Sequence, residues 1–163
     1  MSPVAIVTAS DSGIGQESAK ELAENGFDLG ITYRTDEAGA RETLEAVRTA
    51  GRRGEVRRMD LTDLPEAADV IDDLADSLGG VDVLVNNAGT GDPTGEFLKL
   101  PYEEWRQVID TNLSGAFLCA QRAARRMVDA GNGAGSSTSP PFTSTSRASA
   151  PLRIALPKAA SVS

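Results

Sequence analysis

The sequence has one cysteine, Cys119, among its 163 residues. A single cysteine excludes an internal disulfide and suits a reducing compartment. No apolar run is longer than a few residues, so we predict no membrane-spanning segment. Only Met1-Ser2-Pro3 precedes the first apolar run, which is too short a start for a signal peptide. These absences favour a cytoplasmic protein.

Acidic residues are absent from the last thirty positions. Residues 134–163 contain none of the 24 acidic residues and three of the 16 basic ones, Arg147, Arg153 and Lys158. The first 133 residues therefore carry a net charge of −11. A body this acidic is repelled by phosphate backbones, so we expect no nucleic-acid partner. We interpret the acid excess as a solvated surface.

Short apolar runs alternate with longer helical patterns in the first 133 residues. The sequence predicts strands at 4–8, 28–33, 55–60 and 81–86, and helices at 15–25, 36–50, 64–78 and 101–130. Strands separated by helices of this length indicate βαβ units and a parallel sheet. We therefore predict an α/β fold with a Rossmann-type doubly wound sheet, truncated after the fourth strand and the long helix that follows it.

The composition changes near Gly131. Residues 134–163 include eight Ser, three Thr, six Ala and four Pro, and they keep no apolar periodicity apart from residues 152–156. Such a composition is typical of disordered segments. We therefore divide the chain into a folded domain, 1–133, and a disordered tail, 134–163.

A glycine-containing turn connects the first strand to the first helix. It runs Thr8-Ala9-Ser10-Asp11-Ser12-Gly13-Ile14-Gly15. A helix that starts directly after a buried strand presents free backbone N–H groups, which bind a pyrophosphate through hydrogen bonds and the helix dipole. The turn therefore predicts a dinucleotide site. The residues that we expect to contribute are Thr8, Ser10, Ser12, Gly13, Ile14 and Gly15.

With this turn the chain resembles the short-chain dehydrogenase/reductase family, whose pattern is Thr-Gly-x-x-x-Gly-x-Gly. The chain departs from that pattern at Ala9, where the first glycine is expected. We interpret Ala9 as a variant of the turn, tolerated if its φ is negative. The resemblance implies hydride transfer between NADP(H) or NAD(H) and a small carbonyl or alcohol substrate. It also implies that full-length relatives are homo-oligomers, with the long helix in their subunit interface.

The resemblance extends to three further segments of the sequence. Asp60 and Leu61 match the acidic residue and its successor that contact the adenine. Asn86-Asn87-Ala88-Gly89 matches the family motif beside the cofactor ribose, which implies cofactor contacts for Asn87, Ala88 and Gly89. Asn112 matches the family asparagine that bends the long helix and helps to hold a proton-relay water. The alternative is that Asn-Asn-Ala-Gly is an ordinary turn.

The end of the second strand bears on the choice of nicotinamide cofactor. It ends at Tyr33 rather than at an acidic residue that would bind a ribose 2′-hydroxyl. Arg34 follows, and a guanidinium there can pair with a 2′-phosphate. NAD remains the alternative, because Asp11, Asp36 and Glu37 lie nearby and no basic residue precedes Gly13. The pattern favours NADP, with Tyr33 and Arg34 as cofactor-binding residues.

The catalytic proton donor of the family has no counterpart in the sequence. The family uses a tyrosine, a lysine four residues later and a serine that orients the carbonyl. Here Arg106 stands four residues after Tyr102, the last tyrosine, and Ile154 stands four before Lys158. Because no Tyr-x-x-x-Lys exists, only Asn112 is assigned to catalysis. We expect the chain to be inactive, as a dinucleotide-binding fragment or a non-functional product.

A shifted reading frame offers an explanation for the tail. Back-translated with free third bases, residues 134–141 give Gly-Arg-Ile-Ile-Asn-Val-Thr-Ser in the neighbouring frame, which resembles the family strand that ends in its catalytic serine. In the same frame, residues 152–159 give Tyr-Cys-Ala-Ala-Lys-Gly, which contains the Tyr-x-x-x-Lys pattern of the family. Our hypothesis is that the sequence from about Ala134 is a frameshifted translation of an ordinary family member. The alternative is a genuine Ser/Thr/Pro-rich tail.

Overall fold

The computed structural model describes residues 2–90, 97–133 and 154–155. The predicted disordered tail lies outside the described residues, apart from its positions 154 and 155. Within the described ranges, no helix is both long and apolar enough to span a bilayer.

Strands and helices alternate along the chain as the sequence predicts. The strands are β1 (Val4–Val7), β2 (Asp28–Tyr33), β3 (Gly54–Arg58), β4 (Val83–Val85) and β5 (Ile154–Ala155). The helices are α1 (Gly13–Glu24), α2 (Glu37–Thr49), α3 (Asp69–Leu78), α4 (Tyr102–Ile109) and α5 (Ala116–Gly133). Short 3₁₀ turns cover Glu66–Ala68 and Phe97–Lys99.

The sheet is parallel throughout, with the strand order β3-β2-β1-β4-β5. The chain moves outward from β1 to β3 and then returns to place β4 on the other side of β1. In open α/β sheets of this kind, ligands bind at the carboxyl ends of the strands where the order reverses. The Rossmann-type architecture predicted from the sequence is confirmed.

The fifth strand was not predicted. Ile154 pairs with Leu84 and Ala155 with Val85, so two residues from the Ser/Thr/Pro-rich segment extend the sheet beyond β4. Two residues are too few to show a strand pattern in the sequence.

Apolar side chains fill both faces of the sheet because successive strand residues point to opposite sides. One layer places Ala5, Val7, Leu29 and Ile31 of the sheet among the small and aliphatic residues of α1 and α2. The other layer surrounds Ile6 and Leu84 with residues of α3 and α5. The two layers hold the carboxyl ends of β1 to β4 at one edge, where the predicted site residues lie.

The predicted helix over 101–130 is interrupted. Residues Asp110–Gly115 form a π-helical turn between α4 and α5. In that turn, a Cβ added to Gly115 would lie 2.9 Å from Cδ1 of Leu61, so the wider turn packs closely against the loop that follows β3. Such π turns occur frequently at functional sites. The interruption places Asn112 within the irregular part of the helix.

Candidate functional site

The amino end of α1 is open. The first intrahelical hydrogen bond shown there runs from the Gln16 N–H to the Ser12 carbonyl (3.2 Å), and the Ser12 side chain makes no cap. The N–H groups of the first helical residues therefore precede any helical partner. Gly13 has φ +54° and nothing within 4 Å of an added Cβ, and Ile14 is 80% exposed. Backbone donors and the positive helix end thus face open space, as an anion site requires.

Ala9 adopts a left-handed conformation, with φ +50°. The sequence analysis expected Ala9 to be tolerated only at a negative φ, and this expectation is wrong. The Ala9 N–H donates to Oγ1 of Thr32 (3.0 Å), and its carbonyl accepts from Nδ2 of Asn87 (2.9 Å). These two bonds hold the strained residue from both sides, so the turn keeps a left-handed alanine where the family pattern has glycine.

Gly15 lies where no side chain fits. A Cβ at this position would stand 2.1 Å from the Ala9 carbonyl oxygen and 2.5 Å from Nδ2 of Asn87. The first turn of α1 therefore packs directly on the backbone that leaves β1. This glycine is required by close approach and not by its φ.

Thr8 joins the turn to the Asn-Asn-Ala-Gly segment. Its buried Oγ1 accepts from the backbone N–H groups of Asn87 (2.9 Å) and Ala88 (2.8 Å). The Asn87 amide in turn donates to the Thr8 carbonyl at 3.2 Å. The neighbouring Asn86 is buried and donates to the Ala116 carbonyl at 3.0 Å, which ties β4 to α5. The motif thus fixes the ends of β1 and β4 relative to each other.

A pocket of about 360 Å³ opens beside the turn, at the carboxyl ends of the strands. Six predicted site residues line it: Tyr33, Arg34, Asp60, Leu61, Ala88 and Gly89. Its other lining residues are Ala9, Asp11, Thr32, Thr35, Met59, Thr62, Thr90 and Thr111. The pocket brings residues from four strand ends to one place, as a ligand site at the switch in strand order does.

Asp60 is charged in this pocket. Desolvation by partial burial acts to raise its pKa, but hydrogen bonds from the Thr62 hydroxyl and N–H, together with Arg34 and Arg58, lower it overall. The Thr62 bonds, of 2.8 Å and 3.1 Å, both reach Oδ1. Partial burial and the Glu37 carboxylate raise the pKa of Tyr33, so its phenol stays neutral. The lining of the pocket thus includes two carboxylate side chains, Asp11 and Asp60, the phenol of Tyr33 and the guanidinium of Arg34.

Residues 3–136 match the family model for short chain dehydrogenases. The chain belongs to the short-chain dehydrogenase family. It is 50% identical over 133 residues to an uncharacterized oxidoreductase, YohF, of Escherichia coli K12. That match covers 82% of this chain and 52% of the relative, so the chain spans about half the length of the curated relatives it matches.

Solved structures show the same likeness. Acetoin dehydrogenase from Enterobacter cloacae is 49% identical, with a TM-score of 0.77, over 80% of this chain and 52% of that one. A short chain dehydrogenase from Burkholderia cenocepacia in complex with NADP is 33% identical, with a TM-score of 0.72, over 76% and 50%. Members of this family bind NAD(P).

Asn112 makes a two-point contact with the segment after β4. Its Oδ1 accepts from the Thr90 N–H (2.7 Å), and its Nδ2 donates to the Thr90 carbonyl (3.0 Å). An added Cβ at Gly89 would lie 3.1 Å from Oδ1 of Asn112. The oxygen and the nitrogen of the Asn112 side chain therefore both bind the backbone of Thr90, the residue after Asn-Asn-Ala-Gly. In this short-chain dehydrogenase the asparagine side chain joins the helical interruption to the site.

A buried polar network beneath the turn was missed by the sequence analysis. Ser10 is fully buried, and its hydroxyl donates to the Val7 carbonyl (2.8 Å), so its side chain shapes the turn and does not face the open end of α1. Thr43, also fully buried, donates to the Ser10 carbonyl (2.8 Å). Thr32 accepts from Ala9 as described above. The sequence held one sign of this network, because Thr43 is a polar residue on the otherwise apolar face of α2.

Gly39 was also missed. A Cβ there would lie 2.2 Å from the Asp11 carbonyl oxygen, so the first turn of α2 packs on the turn after β1. Asp36 caps this helix by accepting from the Gly39 N–H at 2.9 Å. Because the contact joins residues 28 positions apart in the sequence, a local pattern could not show it.

Proposed function

We propose that residues 2–133 bind a nicotinamide dinucleotide, with NADP preferred, and come from an oxidoreductase of small carbonyl and alcohol substrates. The observation that carries the proposal is the open amino end of α1, directly beside a pocket at the ends of β1 to β4. Family membership supports the same ligand.

The residues present fit a dinucleotide. The uncapped N–H groups at the start of α1 are donors for the pyrophosphate, and Gly13 leaves its approach open. Asp60 is the acceptor proposed for the adenine amino group. Ala88 and Gly89 line the wall proposed for the ribose. When bound, the nicotinamide supplies or accepts the hydride; the chain's own residues orient it.

The preference for NADP rests on Arg34. It follows β2 directly, lines the pocket and is exposed. A guanidinium forms bidentate, charge-assisted hydrogen bonds with a phosphate, whereas an NAD-selective site places a carboxylate near the 2′-hydroxyl. The NADP complex of the Burkholderia relative supports this choice.

The proposed substrate class comes from the relatives. Two similar structures are acetoin dehydrogenases, and several similar curated proteins are 3-oxoacyl-[acyl-carrier-protein] reductases. Both act on a ketone or secondary alcohol. We propose a small carbonyl substrate for the full-length relative of this chain and a homo-oligomer formed through its long helical segment. Apolar side chains exposed on that segment, including Leu113 and Phe117, support the oligomer.

Location and excluded partners rest on composition. The single cysteine supports a cytoplasmic location. The net charge of −11 over the first 133 residues supports the absence of a nucleic-acid partner. The short apolar runs support a protein without a membrane partner.

We further propose that the chain has no reductase activity and that its sequence after about residue 133 is frameshifted. The family match ends at residue 136, where the composition changes. The sequence contains no tyrosine followed by a lysine four positions later, so no phenol is available beside an ammonium to protonate an alkoxide. The nucleotide sequence tests the frameshift: no continuous oxidoreductase in the neighbouring frame would refute it.

Two measurements on the 163-residue chain test the proposed function. We expect NADP to raise its melting temperature, because a ligand that binds only the folded state stabilises it. We expect no NADPH oxidation with acetoin, diacetyl and a panel of other small ketones. Measurable turnover would contradict the inactivity, whereas a folded chain whose melting temperature is unchanged at millimolar NADP and NAD would contradict dinucleotide binding and indicate a non-functional product.

A further inference from the structure

Arg58, the last residue of β3, connects the ends of two strands beside the pocket. Its Nε donates to the Arg34 carbonyl at 3.0 Å. Its Nη2 lies 3.4 Å from Oδ2 of Asp60. One guanidinium therefore holds the backbone of the arginine after β2 and also lies beside the carboxylate after β3. The sequence analysis did not assign a role to this residue.

The Arg34 guanidinium itself forms no hydrogen bond or ion pair within the part of the chain that the structure describes. Two acidic residues at the start of α2, its N-cap Asp36 and its first residue Glu37, form hydrogen bonds with other groups. Asp36 accepts from the Gly39 N–H (2.9 Å), and Glu37 accepts from Nη2 (2.6 Å) and Nε (2.9 Å) of Arg41. The charge of Arg34 acts on Asp60 across the pocket, where it helps to lower the pKa of Asp60.

Asp60 has its own hydrogen bonds and its own counter-charge. Thr62 occupies Oδ1 with two bonds, and Arg58 lies beside Oδ2. With Arg58 in place, the Asp60 carboxylate has less tendency to draw Arg34 into an internal ion pair. A guanidinium that is left unpaired, on a backbone that is held, is preorganised for a ligand phosphate.

We propose that Arg58 is a positioning residue for cofactor selection: it fixes the backbone of Arg34 and pairs with Asp60, so that the Arg34 guanidinium stays available to a ribose 2′-phosphate. The proposal rests on the proposed function, because it requires Arg34 to bind that phosphate. In this proposal Arg58, at the end of β3, influences phosphate binding only through Arg34, which follows β2.

The test measures dissociation constants of 2′,5′-ADP and 5′-ADP, which differ by the 2′-phosphate, for the 163-residue chain by calorimetry. The variants are Arg58→Ala, Arg34→Ala and the double variant. Arg57→Ala is the matched control, because Arg57 precedes Arg58 on the same strand but bonds Glu55 (2.9 Å) and Ser77 (3.1 Å). The readout is the ratio of the two constants, which a general loss of stability does not change selectively.

We expect the unaltered chain to prefer 2′,5′-ADP by about tenfold or more. Arg34→Ala removes this preference. Arg58→Ala lowers it by about 3- to 10-fold and leaves 5′-ADP binding nearly unchanged, and Arg57→Ala leaves the ratio unchanged. In the Arg34→Ala background, Arg58→Ala has no further effect on the ratio, because its effect passes through Arg34.

Each other outcome overturns the proposal in a recognisable way. An unchanged ratio in Arg58→Ala, with Arg34→Ala still impaired, refutes the role of Arg58 and leaves the NADP preference intact. An equal loss in both backgrounds shows that Arg58 contacts the phosphate itself. Equal binding of the two probes by the unaltered chain refutes the NADP preference and the positioning role together. Arg58→Lys, which keeps the charge but lacks the planar fork, serves as the second variant if Arg58→Ala does not fold, and we expect it to lower the ratio too.

Discussion

The turn after β1 and the helical segment from Tyr102 to Gly133 border the same site, but different interactions hold them. The turn is fixed by buried hydrogen bonds of Thr8, Ser10 and Thr43 and by close backbone contact at Gly15. The helical segment packs Cys119 and Ala123 of α5 in the core and is also joined to α3 by partly exposed ion pairs of two arginines. It leaves large apolar side chains in solvent: Tyr102, Trp105, Leu113, Phe117 and Val128.

The two regions differ in how far their side chains are satisfied within the described residues. Every buried side-chain polar atom among the described residues has a partner, and the turn can therefore hold Ala9 in a strained conformation. The exposed apolar side chains of α4 and α5 are not covered by other described residues. We therefore expect substitutions in the turn to change stability through packing. We expect substitutions in the ion pairs between α3 and α5 to change stability through charge, and therefore to depend on pH.

The largest effect is expected for Gly15→Ala. The new methyl would lie 2.1 Å from the Ala9 carbonyl oxygen, so α1 and the turn must separate. We expect a loss of about 3 kcal/mol in the free energy of unfolding and loss of dinucleotide binding. Urea denaturation measures the first and calorimetry the second.

Gly131→Ala is the matched control for this prediction. An added Cβ at Gly131, in α5, meets nothing within 4 Å, and alanine is the better helix former. We expect it to leave binding unchanged and to stabilise the chain by at most about 1 kcal/mol. Equal effects of the two substitutions would contradict close packing at Gly15.

An intermediate effect is expected for Asp72→Asn. Asp72 accepts from Nη1 of Arg122 (2.8 Å) and Nε of Arg126 (2.7 Å), which join α3 to α5. Desolvation by partial burial acts to raise the Asp72 pKa, but the two arginines lower it overall. We expect a loss of about 1–2 kcal/mol at pH 7, measured by urea denaturation.

The pH dependence of this loss has a definite sign. Because the folded-state pKa of Asp72 lies below its unfolded value of about 3.9, the stabilisation is present above that pH and is lost as the pH falls through the folded-state pKa. The difference between the unaltered chain and Asp72→Asn should therefore shrink below about pH 4. Asp73→Asn, at the exposed neighbouring position, should show neither effect. A difference that is constant from pH 7 to pH 2 would refute the ion-pair account.

The smallest effect is expected for Ala9→Gly, and it is stabilising. The left-handed φ of Ala9 costs about 1–2 kcal/mol, whereas glycine adopts it freely but loses more entropy on folding. We expect a net gain of about 0.5–1 kcal/mol in thermal or urea denaturation. Ala46→Gly, inside α2, should instead destabilise by about 1 kcal/mol. Destabilisation by both would show that Ala9 is not strained.

Local patterns were enough to predict four of the strands and the helices, because apolar runs and terminal glycines such as Gly26 and Gly79 are visible in the sequence. The positive φ of Ala9 was not predicted, and the residue is held in it by hydrogen bonds with Thr32 of β2 and with Asn87, which follows β4. The π turn depends on the packing of Gly115 against Leu61, and β5 on pairing with β4. A bend of the long helix at Asn112 was implied by the family resemblance alone, and the other features arise from contacts distant in sequence that local patterns do not show.

The site shows the same division. The sequence predicted the residues of the turn and of the Asn-Asn-Ala-Gly segment, and six predicted residues line one pocket. It did not indicate that Thr43 and Gly39, on α2, fix the turn from below, or that Arg58 contacts the backbone of Arg34. These contacts depend on how β2, β3 and α2 come together in space.

The central claim is that the amino end of α1 binds the pyrophosphate of a dinucleotide. The most direct measurement is a titration of the ¹⁵N-labelled 163-residue chain with NADP, followed through the backbone amide signals by NMR. We predict that the signals of Gly13, Ile14 and Gly15 shift together and saturate, with smaller shifts at Ala88 and Gly89. A folded chain whose α1 amide signals stay in place at saturating NADP would contradict the account.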